Sequence, residues 1–399
     1  MRGKITFGIA LTSLILIISL QTMAQIRMGA ERTEIYLPLI QGKHVGICGN
    51  HTSMIGTTHL ADSLLSLGIS IEKIFCPEHG FRGEAEAGAK IESGRDRKTG
   101  LPIISLYGKN KKPTAEQVSD LDVIIFDIQD VGCRFYTYIS TLHYVMEAAA
   151  EQGVEVIILD RPNPNGHYVA GPVLEAGYRS FVGMHKVPVV HGMTIGEYGR
   201  MINGESWLAN GNKCDLTVIE MEGYTHSMRY SLPIAPSPNL RSDAAILLYP
   251  SLCFFEGTCI SVGRGTDTPF EVYGAPGLTT GDFFFTPAPI KGVSENPPHK
   301  GEKCRGFSLS TFANEELNYH HNNFTIKYLI QAYQNYPDKG NFFTNAAFFD
   351  KLAGNSKLRE MIIAGKNEAE IEKTWEKDIG EFMEIRKQYL LYEEIGVRN

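Results

Sequence analysis

Between residues 43 and 159 the chain alternates short apolar runs with longer segments of mixed pattern. The runs at 44–48, 71–75, 103–106, 123–126 and 154–159 are continuous rather than alternating, which is the pattern of strands buried on both faces. Between them the periodicity is helical. A helix is expected over 59–67, capped by Thr57 or Thr58 and closed by Gly68. Thr114 opens a short one across 115–119, and another runs from 138 to 151 and stops at Gly153. Strands alternating with helices predict an α/β fold whose parallel sheet is covered on both sides.

The second half is richer in loops. Asn163-Pro164-Asn165-Gly166 is a turn cluster, and Thr194 caps a helix reaching Ile202. The Pro-rich stretch 233–240 reads as an extended loop suited to wall a cleft. Composition shifts around Glu256-Gly257-Thr258, and helical patterns follow at 326–334, 348–352 and 357–363. A longer one spans 368–392, with Gly380 as a kink. This divides the chain into a leader (1–24), a sheet domain (25–257) and a smaller α+β domain (258–399).

The leader has a basic start, an apolar run from Ile5 to Leu20 and a small-residue end at Thr22-Met23-Ala24. The run is short and interrupted by Gly8, Thr12 and Ser13, so cleavage before Gln25 is expected rather than a membrane anchor. The expectation is an exported, periplasmic or otherwise extracytoplasmic protein with no membrane span after cleavage. With 43% hydrophobic and 21% charged residues the chain is an ordinary globular one. Its net charge of −7 becomes more negative once Arg2 and Lys4 leave, which argues against nucleic acid as a partner. Seven cysteines, an odd number with no C-x-x-C pair, disfavour a thiolate zinc site and leave a Cys253–Cys259 pairing open.

Candidate chemistry falls at the carboxyl ends of the expected strands, where open α/β sheets bind ligands. Asn50 follows the first, Glu78 and His79 the second, Asp127, Gln129 and Asp130 the fourth, and Asp160, Arg161 and Asn163 the fifth. For the Asp and Asn residues among these the alternative is capping of the following helix. After Glu78-His79-Gly80-Phe81-Arg82-Gly83 comes a polar, Gly-rich loop carrying Glu84, Glu86, Glu92 and Asp96. Loops of that length inside a compact domain are commonly functional. Arg134, near the start of a helix, suits either a substrate carboxylate or an ion pair with Asp127 or Asp130. His185 and His191 lack H-x-x-x-H or H-E-x-x-H spacing, so no metal is expected and both read as core or hydrogen-bonding residues. No G-x-G-x-x-G follows the first strand, and Gly263-Arg264-Gly265-Thr266 lacks the context of a phosphate-binding loop.

Taken together, several stretches resemble the exo-β-N-acetylmuramidase family of glycoside hydrolases. They are Pro77-Glu78-His79-Gly80-Phe81-Arg82-Gly83, Leu101 to Gly108, Phe126-Asp127-Ile128-Gln129-Asp130-Val131-Gly132 and Leu159 to Pro164. Pro236-Ser237-Pro238-Asn239, Glu256-Gly257-Thr258, Gly263 to Thr266 and the closing Tyr389-Leu390-Leu391-Tyr392 extend the likeness over nearly the whole mature chain. The resemblance implies a Rossmann-like, doubly wound domain without a dinucleotide, a smaller C-terminal domain and a cleft between them. It also implies removal of terminal N-acetylmuramic acid from the non-reducing end of peptidoglycan fragments, with no cofactor.

Glycoside hydrolysis usually takes one carboxylic acid to protonate the leaving oxygen and a second carboxylate as base or nucleophile. Glu78, beside apolar Phe75, Pro77 and Phe81, is the expected general acid/base, with His79 positioning it. Asp127 and Glu84 lead for the second carboxylate, with Asp130 behind them. Arg82, Arg134 and Arg264 are the candidates for the lactyl carboxylate of muramic acid, and Tyr136 for stacking on the sugar. Asn50 and Arg161 complete the expected binding set. Two other readings stand beside this one. One is a non-catalytic glycan-binding protein; the other is a metal-dependent hydrolase or deacetylase using Glu78, His79, Asp127 and His191.

Overall fold

The structure, a computed structural model, describes residues 26–78, 80–83, 94–317 and 323–394. The leader at 1–24 lies outside the described residues. Nine strands belong to the first half: β1 (Val45–Gly49), β2 (Met54–Ile55), β3 (Thr58–His59), β4 (Ile71–Cys76), β5 (Gly94–Arg95), β6 (Pro102–Ser105), β7 (Val123–Asp127), β8 (Glu155–Leu159) and β9 (Leu216–Ile219). Seven of them form one sheet in the order β5-β6-β4-β1-β7-β8-β9. All neighbours in it run parallel except the short edge strand β5, which is antiparallel to β6. Strands β2 and β3 make a separate hairpin.

Alternation along each strand sends side chains to two cores. Ile124 and Phe126 pack on one face of the sheet with helices α4 (Tyr138–Gln152) and α5 (Ile195–Gly204). Val123 and Ile125 pack on the other with α1 (Thr33–Ile40) and α2 (Leu60–Ser66). The short α3 (Ala115–Val118) starts at Thr114 as expected, in a capping box with Gln117, and α5 carries a capping box between Thr194 and Glu197. Gly153, at φ 69°, ends α4 in the left-handed conformation that a side chain disfavours.

The C-terminal part begins on α6 (Asp243–Leu252) and holds an antiparallel sheet of β10 (Val272–Ala275), β11 (Phe283–Phe285) and β12 (Cys304–Ser308). Helices α7 (Ser310–Glu316), α8 (Lys327–Asn335), α9 (Ala346–Ala353), α10 (Lys357–Ile363), α11 (Glu368–Glu372) and α12 (Glu376–Arg386) complete it. Its aromatics, Phe254, Phe255, Tyr273, Phe342 and Phe349, continue the same core that covers the α4/α5 face.

Three local expectations are corrected. Helix α2 is capped by His59, not Thr57 or Thr58: the β2–β3 hairpin delivers the imidazole, whose Nδ1 accepts from the Ala61 N–H at 3.3 Å. The helix expected over 368–392 breaks at Lys373–Trp375, where buried Trp375 turns inward against Phe324, while Gly380 sits inside an unbroken α12. Strand β9 and helix α6 carried no distinct sequence signal. All seven cysteines are free, so Cys253 and Cys259 do not pair. Among the described residues no helix is long and apolar enough to cross a membrane.

Arg134 ties the halves together. It is fully buried, and its Nη1 donates to the carbonyls of Pro172 (2.7 Å) and Val187 (2.8 Å) while Nη2 donates to Leu352 at the end of α9 (2.7 Å). Replacing it by methionine keeps the bulk but strips buried carbonyls of their donor. Arg134→Met is expected to cost roughly 2–4 kcal/mol of stability, read as a lowered denaturant midpoint; an unchanged midpoint would refute the clamp.

Candidate functional site

The cleft opens at the carboxyl edge of the sheet, facing the C-terminal part. Its volume is about 460 Å³ including the part open to solvent, and Glu78, Tyr136, Tyr138, Asn239, Tyr249 and Arg264 are among its walls. Register explains how Glu78 arrives. Cys76 in β4 pairs with Ser105 in β6, and the Leu106 N–H extends that ladder to the Cys76 carbonyl at 2.8 Å. Two residues past each strand end, Glu78 and Tyr107 therefore emerge side by side. The Tyr107 hydroxyl is pushed well above its ordinary pKa, first by burial and then by the charge and hydrogen bond of Glu78. Burial, followed by the Glu78 charge, does the same to Tyr138.

Tyr136 and Tyr138 sit where the β7 loop enters α4. The Tyr136 hydroxyl donates to the Pro236 carbonyl at 2.8 Å, joining this wall to the Pro-rich loop. Tyr138 receives the Asn50 amide at 3.0 Å, so Asn50 stands behind the cleft rather than in it; its own oxygen accepts from the Thr52 N–H and hydroxyl. Arg264, which also lines the cleft, lies over the Phe270 ring at 5.1 Å and is held by Glu256, with Nε to Oε1 at 2.7 Å. Phe270 has φ 61°, an uncommon state for a bulky residue, maintained by its N–H bond to the Val262 carbonyl at 2.7 Å.

Several expected site residues lie elsewhere. Asp127 is fully buried under Arg161, whose Nε and Nη2 take its two oxygens at 2.5 and 2.9 Å, so it does not face the cleft. Burial opposes charge on Arg161, but Asp127 outweighs it and holds the guanidinium above its ordinary pKa. Arg82 is committed to Asp96 (two contacts of 2.7 Å) and Asp62 (3.1 Å), anchoring its own loop. Arg134 meets neither a cleft nor Asp127 and Asp130; burial in the core drops its pKa to about 9. Of the three arginines expected near a lactyl group, Arg264 alone lines the cleft. His79 and Glu84 lie outside the described residues. Glu78 is the one carboxylate among the described cleft-lining residues.

Sequence reasoning gave no role to Tyr107, Tyr138, Tyr249 or Glu256. Tyr107 was the most accessible of these, because it stands as far past its strand as Glu78 does past its neighbour. His191 is buried, with Nδ1 accepting from the Met193 N–H at 3.2 Å; His185 bonds Tyr198 and His143, each at 3.0 Å. Among the described residues no three His, Cys, Asp or Glu side chains converge as metal ligands would.

Asp130 is buried too, accepting from the Gly132 N–H at 2.7 Å, with His191 Nε2 at 3.9 Å. Burial pushes its pKa up to about 7, against the pull of the Gly132 and Val131 N–H groups. The same burial drops His191 to about 3, so that ring stays neutral. A folded pKa above the unfolded one means that stability is fully present at low pH and lost as pH rises, here between about 4 and 7. Asp130→Asn should therefore gain roughly 2–4 kcal/mol relative to wild type between pH 4 and pH 8, measured by denaturant titration; parallel pH curves would contradict the assignment.

Comparison with known proteins shows which family the chain belongs to. The family model for the N-terminal part of exo-β-N-acetylmuramidase NamZ matches residues 45–244, and that for its C-terminal part matches 247–392. Peptidoglycan β-N-acetylmuramidase NamZ of Bacillus subtilis is 38% identical over 376 residues, covering 90% of this chain and 89% of that protein. A crystal structure of a DUF1343 family protein from Bacteroides fragilis is 46% identical, with a TM-score of 0.85 over 93% of this chain and all of that one. A second from the same organism is 30% identical, with a TM-score of 0.74 over 92% and 99%. With both halves matched in order and most of the sheet-edge motifs inside the matched ranges, the chain belongs to the exo-β-N-acetylmuramidase NamZ family.

Proposed function

We propose that this protein is an exo-acting glycoside hydrolase that releases terminal N-acetylmuramic acid from the non-reducing end of peptidoglycan fragments, with Glu78 as general acid/base. The observation that carries the residue assignment is the position of Glu78 in a tyrosine-walled cleft that Arg264 also lines. Family membership supports the substrate class, since the Bacillus subtilis relative is a peptidoglycan β-N-acetylmuramidase.

In this reading Glu78 gives its proton to the glycosidic oxygen as the bond to the anomeric carbon breaks, and the Tyr107 hydroxyl holds the carboxyl in place. Tyr136, Tyr138 and Tyr249 offer aromatic surface to the ring. Arg264 reaches the lactyl carboxylate through the guanidinium nitrogen that Glu256 leaves over. Asp127 and Asp130 are enclosed in the scaffold, which leaves Glu84, shortly after Glu78 in the sequence, as our choice for the second carboxylate. Carboxyl groups and water suffice for this route, so the reading calls for no cofactor. The leader-like stretch at 1–24 supports export to the compartment where peptidoglycan lies.

The test is incubation of the mature protein with N-acetylmuramic acid-β-1,4-N-acetylglucosamine, alongside Glu78→Gln and a chelator-treated sample. Wild type and the chelated sample should release both monosaccharides, and Glu78→Gln should lose roughly a hundredfold to ten-thousandfold in kcat. Full activity in Glu78→Gln would reject the acid. Binding without release by any sample would favour a glycan-binding protein, and loss on chelation a metal-dependent one.

A further inference from the structure

A second cavity, about 610 Å³ including the part open to solvent, lies between the turn that follows β8 and helices α6 and α7. It shares no lining residue with the Glu78 cleft, although α6 contributes to both. Asp243, Ile246 and Leu247, three and four residues apart on one face of that helix, line the second cavity, while Tyr249 lines the cleft. Pro164 and Leu317 add apolar wall, and Arg229 enters from the segment between β9 and α6.

Arg229 is a half-buried cation without a counter-ion. Its Nη2 reaches only the Glu316 carbonyl, at a long 3.4 Å, and its Nε is shut from water with no partner. Among the described residues no carboxylate lies within ion-pair distance of it, and Nη1 makes no bond. Burial, the largest influence, holds the guanidinium below its ordinary pKa; Tyr168 and Glu316 pull the other way and do not make up the difference. A guanidinium left in this state is costly, and a ligand carboxylate that takes two of its N–H groups at once relieves it.

Asp243 is the opposite case. It stands in the first turn of α6, yet the cap of that helix is Ser242, whose Oγ accepts from the Ala245 N–H at 3.0 Å. Among the described residues the Asp243 carboxylate enters no ion pair and no side-chain hydrogen bond. Nor is it one of the charges that shift Arg229, so the two do not neutralise each other. The cavity therefore presents an unanswered cation and an unanswered anion at separate places, beside apolar Ile246, Leu247 and Leu317. A cation alone would suit any anion. Both charges together suit a ligand that carries both.

We propose that this cavity binds a small zwitterion, an α-amino acid or a short peptide with free ends, its carboxylate on Arg229 and its ammonium on Asp243. The site is independent of the glycosidase reading. Its test follows the methyl NMR signals of Ile246, Leu247 and Leu317 in the whole protein and needs no turnover. Leucine and the dipeptide alanyl-alanine are titrated into wild type, each beside its amide, which lacks the carboxylate, and its N-acetyl form, which lacks the ammonium. At least one zwitterion should move the signals saturably, and both of its blocked forms should bind about tenfold more weakly or worse. Movement with leucine assigns an amino acid; movement with the dipeptide alone assigns a peptide. Arg229→Met should remove the preference over the amide, with Arg229→Lys keeping part of it, and Asp243→Asn should remove the preference over the N-acetyl form. Because the blocked forms are compared on wild type, the outcome does not hang on any variant folding. No saturable movement with either zwitterion, equal binding of a blocked form, or preferences that survive Arg229→Met and Asp243→Asn would overturn the site. Inorganic phosphate moving the signals as strongly would make it a simple anion site, and would overturn it too.

Discussion

Burying a carboxyl group costs heavily unless it is paired or hydrogen-bonded, and at the centre of this sheet edge Arg161 pairs with Asp127 through two contacts. The consequences spread through three loops. Arg161 also holds the Met54 carbonyl at 3.1 Å, which fixes the β2–β3 hairpin. The Asp127 carbonyl accepts from the Ser53 hydroxyl, and the Thr52 hydroxyl accepts from the Gln129 N–H at 3.0 Å. The turns after β1, β7 and β8 are thereby locked to one another. Removing one partner of such a pair costs roughly 3–5 kcal/mol, so the central strands have little freedom to lend a carboxylate to chemistry. Glu78 stands two residues past the end of β4, one strand outward from β1, outside this lock.

A second set of buried polar contacts ties the C-terminal stretch to the sheet. Asp160 accepts from Tyr392 at 2.6 Å, Thr194 at 2.7 Å and the Gly196 N–H at 2.8 Å, which returns the end of the chain to the tip of β8. Burial still leaves the Asp160 pKa raised, to about 6. Glu197 receives the Leu391 N–H at 2.8 Å and the Tyr392 N–H at 3.4 Å, so α5 and the closing Tyr-Leu-Leu-Tyr stretch are joined twice. With Arg134 tied to α9 and one hydrophobic core running through both halves, Arg264 and Phe270 are presented to Glu78 without a hinge of exposed linker between them.

Continuous apolar runs made the central strands legible, because strands buried on both faces leave a signal in consecutive residues. The hairpin cap at His59 and the break at Trp375 were not legible, since each depends on what a side chain meets in space. The same limit governs the site. Strand ends marked the right edge of the sheet, and Glu78, Tyr136 and Arg264 do share a cleft. Asp127, Arg82 and Arg134 have equally suitable chemistry, but partners distant in sequence (Arg161, Asp62 and Leu352) claim them. Position along the chain shows which residues reach the edge; only packing shows which remain available there.

What remains available differs in kind from what the scaffold uses. Arg264 reaches the cleft already paired with Glu256, so the site offers no bare positive charge there, and recognition depends on the direction of the remaining N–H bonds. Glu78 accepts from a phenol. A guanidinium carries donors only and favours the ionised carboxylate, whereas a phenol both donates and accepts and can bond a carboxyl group in either protonation state. A residue that must surrender a proton to a leaving oxygen and later recover one needs a partner of the second kind. Tyr107 supplies it, at the position that the β4–β6 register dictates.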